Sequence, residues 1–83
     1  MNATKIIRLN TETHIEFLRA RAILRAYDAH EVRYTVDFQA RHGAGAEFVA
    51  ARRLELAAAE GAAAAAGALF ALREAEHDRA VAS

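Results

Sequence analysis

Eighty-three residues with no cysteine, no formal net charge and 54% apolar side chains exclude a disulfide framework, a thiolate metal site and any global pull toward nucleic acid or anionic membrane. One domain of this length lies near the size at which a lone chain struggles to bury enough apolar surface, so self-association becomes the leading remedy. Arginine outnumbers lysine ten to one and alanine fills over a quarter of the chain, a composition that suits a GC-rich bacterial or phage genome. The absence of cysteine suits a reducing cytoplasm.

The chain opens with a short arm over residues 1–10. Its apolar patch, Ile6, Ile7 and Leu9, is too brief for a secretory signal. Lys5 to Leu9 can pack onto a helix or form a short strand. Thr13 and Glu16 then have the spacing of a capping box, in which the threonine hydroxyl accepts from an orphan amide and the glutamate reaches back to the cap. Glu12 and Glu16 also place negative charge at the positive end of a helix dipole. A first helix is therefore predicted over residues 13–42, closed by Arg41, His42 and the helix-ending Gly43.

Within that helix, Val32, Tyr34, Val36 and Phe38 alternate with Arg33, Thr35 and Asp37, a period-two pattern in strand-favouring residues. This leaves an α+β alternative with short strands at 5–9 and 32–38. The helical reading is preferred because residues 27–31 hold no glycine or proline for a turn, and the 3.6-residue period runs unbroken from Phe17 to Phe38. Gly43-Ala44-Gly45 is the one clear break, and a turn of that length joins antiparallel neighbours. A second helix is predicted over residues 46–79, dominated by the Ala- and Gly-rich run from Leu54 to Leu72. The uncharged part of this run, Gly61 to Leu72, is twelve residues, against the ~20 required to cross a bilayer. No membrane span is expected.

The fold expected is thus all-α, an antiparallel helical hairpin forming a single domain. At 100° per residue the first helix carries two apolar stripes. Phe17, Leu24, Tyr27, Tyr34 and Phe38 are bulky, and the shallow Ala and Gly groove of helix 2 would accept them, with Leu24 against Ala64 and Tyr27 against Gly61. With Leu54 and Leu56 these form the expected intra-hairpin core. The second stripe, Leu18, Ala22, Val32 and Val36, would remain in water beside Val49 and Phe70. An exposed strip of that length marks an interaction surface, and two hairpins meeting there would make a homodimeric four-helix bundle.

Chemistry-bearing patterns are sparse. Glu74 and His77 have the E-x-x-H spacing of carboxylate-bundle metal sites, with His14 and Glu16 nearby in the hairpin register. The unit occurs once, near a chain end, so a solvated charged helix end is preferred and neither metal nor cofactor is expected. Ser83 is the sole serine, and no glycine-rich phosphate loop is present, so no enzyme is predicted. Arg19, Arg21 and Arg25 could contact phosphates, but Asp28 can share the face of Arg21 and Arg25 and neutralise part of it. These observations favour a non-enzymatic, cytoplasmic protein-interaction module, a small regulator, adaptor or inhibitor that docks on a larger protein. The alternatives are a dimeric nucleic-acid-binding regulator using the helix 1 arginines and, behind it, a metal-binding bundle.

Overall fold

The computed structural model describes the backbone of residues 3–83 and the side chains from Asn10 onward. Two helices form a hairpin: α1 spans Ala3–Arg41 and α2 spans Ala46–Ala82. The described chain contains no strand. Lys5 to Leu9 and Val32 to Phe38 are both helical, which removes the α+β alternative.

The alternation at 32–38 has a helical explanation. Val32 and Val36 are four residues apart and turn toward α2, while Tyr34 and Phe38, also four apart, turn away from it. Two opposed helix faces thus imitate a strand pattern. The Thr35 hydroxyl donates to the Glu31 carbonyl at 2.9 Å, which accommodates a β-branched polar residue within the helix.

Thr13 does not begin the helix, since α1 already runs from Ala3. Asn10, Thr11 and Thr13 each cost only tenths of a kcal/mol in a helix, about 0.5 relative to alanine. Without a glycine or proline, that is too little to stop one. At the other end, Gly43 takes φ 86°, and the Ala44 amide donates to the Gln39 carbonyl at 3.1 Å. This is the six-to-one bond of a Schellman turn. Gly45 then serves as an extended N-cap without a side-chain cap, and α2 continues to Ala82, beyond the expected end at residue 79.

The pair measures 62 × 20 × 14 Å. The shortest dimension is close to one helix with its side chains, ~10–12 Å, so the molecule is a single layer. Its radius of gyration is 18.6 Å, against about 12 Å for a globular domain of this length. Among the described side chains, the buried apolar residues are Ile15, Leu18, Ala29, Val36, Leu56 and Ala66. All lie along the seam between the helices, where Ala59 and Ala63 are half-buried.

Candidate functional site: the outer face of the first helix

The two stripes of α1 occupy the reverse of their expected positions. Leu18 and Val36 are 2% and 0% exposed in the seam, while Ala22 and Val32 are half-buried beside them. Val49 and Phe70 of α2 are half-buried as well. These six residues are therefore not a free interaction surface. Phe17, Leu24, Tyr27, Tyr34 and Phe38 are exposed instead, and Leu54 on α2 is 75% exposed. Of the set expected to form the intra-hairpin core, only Leu56 is buried. Leu24 does not meet Ala64, nor Tyr27 Gly61, because all four face solvent.

Size explains the reversal. The cross-helix pairs Arg33–Glu60 and Gln39–Arg52 put Ala29 level with Ala63, Val32 with Ala59 and Ala22 with Phe70, so every layer of the seam's middle holds at least one small residue. Such residues permit closer helix approach than aromatic rings would, since the distance between packed helices is set by the side chains at the contact. Ile15 and Leu18 are buried on one side of this stretch and Val36 and Leu56 on the other. The spacing was present in the sequence: 49, 52, 56, 59, 63, 66 and 70 on α2 form an unbroken three-and-four repeat, and 15, 18, 22, 29, 32 and 36 on α1 follow the same repeat with position 25, an exposed arginine, left out.

Polar pairs hold the register along the seam's edges. The Arg33 guanidinium reaches the Glu60 carboxylate at 2.8 Å, and Arg52 Nε donates to Gln39 Oε1 at 3.4 Å. Both join α1 to α2. Arg52 also pairs with Glu55, and Arg73 with Glu76 at 2.9 Å, within α2. Such exposed pairs contribute at most about 1 kcal/mol each.

The outer face of α1 remains. Phe17, Ile23, Leu24, Tyr27, Tyr34 and Phe38 project from it, and each is about half or more exposed. At 100° per residue they cluster opposite Leu18, Ala29 and Val36. Phe38 stacks on His42, with ring centroids 4.1 Å apart and planes inclined by 28°. Two carboxylates, Glu16 and Glu31, share the face, and Glu16 lies 3.8 Å from Arg19.

The other candidate groups do not converge. His77 Nε2 lies 3.7 Å from Glu12 Oε1, a contact between the chain's two ends. Among the described residues no three histidine, aspartate or glutamate side chains are grouped to hold a metal, and Glu74, His77, His14 and Glu16 do not form such a group. Arg19 and Arg21 are two residues apart, ~200° around the helix, so they serve different faces. Arg25 is exposed, whereas Arg21 is half-buried, with its Nε shut off from water and without a hydrogen-bond partner.

In length and composition α2 also meets the requirement for a membrane span: its most apolar eighteen-residue window has a mean hydropathy of 1.4. Alanine supplies much of that value. Comparison with known proteins adds no functional constraint, because no family model, curated protein or solved structure matches the chain.

Proposed function

We propose that the chain is a non-enzymatic protein-interaction module, working in the cytoplasm as an adaptor, regulator or inhibitor through the outer face of α1. The observation that carries this reading is the aromatic stripe from Phe17 to Phe38, which points away from α2. A two-helix layer can bury only one face of each helix. Here the face it buries is the one with the smaller side chains, and the largest rings are left in water. Tyrosine and phenylalanine are the residues that interface cores favour over ordinary surface. Four such side chains and Leu24 in one line exceed the scattered apolar exposure of an ordinary monomer.

The carboxylates of Glu16 and Glu31 favour a protein contact over a lipid one. A membrane-surface helix pairs its apolar face with a cationic border, whereas this face carries acids within it. Dimerisation belongs to the same proposal, with the contact through α1 rather than through Leu18, Val32 and Val36.

Photo-crosslinking tests the reading. A benzophenone amino acid at position 27, in cells that express the chain natively, should give discrete protein adducts, either with the chain itself or with another protein. The same probe at Arg53, on the side of α2, should give none. Absence of adducts at position 27 would refute the assignment.

A further inference from the structure

The outer face of α1 has an internal regularity that specifies its occupant. Positions 17, 20, 24, 27, 31, 34, 38 and 41 are separated alternately by three and four residues, the a/d spacing of a coiled coil. Resting on the docking role assigned above, we infer that this face is covered by the same face of a second copy, running antiparallel, with a two-fold axis beside residue 29.

Three observations favour this occupant. The first is steric. About an axis at residue 29, Ala20 lies against the partner's Phe38 and Leu24 against the partner's Tyr34. The smallest residue of the stripe thus receives one of the largest, and each such pair occurs twice. Self-complementarity of this kind is what a two-fold interface requires.

The second is electrostatic. Glu31 is the one acidic residue within the repeat itself. In a parallel pair it would face its own copy, and like charges at that position repel. In the antiparallel pair it lies against the partner's Tyr27, whose phenol can donate to the carboxylate. Arg41 likewise meets the partner's Phe17, an arginine over an aromatic face. A single polar position inside an apolar repeat is a known means of fixing register and orientation.

The third is area. Phe17, Leu24, Tyr27, Tyr34 and Phe38 are about half to two-thirds exposed. With aromatic side chains presenting ~150–250 Å² each, the four rings offer roughly 450 Å², and Leu24 adds about 100 Å². A standard interface buries about 800 Å² per partner, and Ile23 and Ala20 beside the stripe narrow the gap. The chain's zero net charge adds no long-range repulsion between copies. The assembly is a row of four helices, α2 and α1 of one copy followed by α1 and α2 of the other.

The chain has no native cysteine, so single-cysteine variants with a short bis-maleimide test the register. His30 and Glu16 are both exposed and occupy the same position of the repeat at different distances from the axis. His30→Cys lies across the axis from its own copy. Glu16→Cys lies ~40 Å from its own copy, at 1.5 Å per residue. The inference expects at least tenfold more covalent dimer from His30→Cys than from Glu16→Cys at micromolar concentration, and a wild-type dimer by sedimentation equilibrium. Equal yields from the two variants would mean parallel pairing and overturn it. Species growing beyond the dimer would mean that α1 stacks on α2 of the next copy, which also overturns it. A wild-type monomer with neither variant cross-linked would overturn self-pairing while leaving the docking role to the position-27 adducts.

Discussion

Replacing Val36 by alanine probes the seam where it is best packed. Val36 is 0% exposed, and the change removes two methyl groups. At ~0.8 kcal/mol per buried carbon the lost transfer energy is about 1.6 kcal/mol, and the cavity left behind adds to it. A total near 2 kcal/mol should lower the melting temperature by roughly 10 °C in a domain of this size. The matched change, Tyr34→Ala, removes a far larger side chain that is 63% exposed. In the dilute monomer it should alter stability by no more than about 0.5 kcal/mol. Thermal unfolding followed by circular dichroism, over a hundredfold range of protein concentration, distinguishes the two. The Val36→Ala loss should be the same at every concentration, and any Tyr34→Ala loss should appear only at the concentrated end. If Tyr34→Ala costs more than Val36→Ala in the dilute protein, the aromatic stripe lies in the seam and the orientation of α1 is wrong.

Three further outcomes follow from the same geometry. Ala66 is buried and Ala64 exposed, so Ala66→Leu should cost ~1–3 kcal/mol by overpacking; Ala64→Leu should stay within about 0.5 kcal/mol, with chemical denaturation as the readout and equal losses counting against the seam. A Cβ added at Gly61 meets nothing within 4 Å, so Gly61→Ala should raise helix stability by up to ~1 kcal/mol, whereas Gly43→Ala, at φ 86°, should lose ~1–2 kcal/mol; melting of both variants checks the opposite signs. Finally, crossing a bilayer through the alanine run would carry Glu60 and its partner Arg33 toward the hydrocarbon, at ~2.5–3.5 kcal/mol for a charge such as arginine at the centre, so the chain should remain at the bottom of a liposome flotation gradient, and movement to the lipid layer would contradict the cytoplasmic assignment.

The helices and their turn were legible from local chemistry. Alanine content, the absence of proline and the Gly43 break act within a few residues, and the structure follows them. The start of α1 was not, because a capping box marks where a helix can begin without preventing it from beginning earlier. Which face of α1 turns inward is hidden for a different reason. The shallow groove of α2 invites bulky side chains, but burial in a two-helix layer depends on how closely two backbones approach. An alanine in each layer of the seam's middle (Ala29 and Ala63 together, Ala59 opposite Val32, Ala22 opposite Phe70) favours close approach, and Phe17, Tyr27 and Tyr34 would oppose it. That preference is set by pairs of residues distant in sequence, so neither helix reveals it alone. The docking face inherits the same difficulty, since it is defined by what the seam leaves out.

The central claim, that the aromatic face of α1 points outward and is available for contact, can be read from Tyr27 and Tyr34 directly. They are the only tyrosines, the chain has no tryptophan, and both lie on that face. Iodide quenching of tyrosine fluorescence should therefore approach that of a free tyrosine derivative in the most dilute folded protein, with helicity confirmed on the same sample. It should weaken as the concentration rises and a second copy covers the stripe. Tyrosines shielded from iodide at the highest dilution, in a chain that is still helical, would contradict the account.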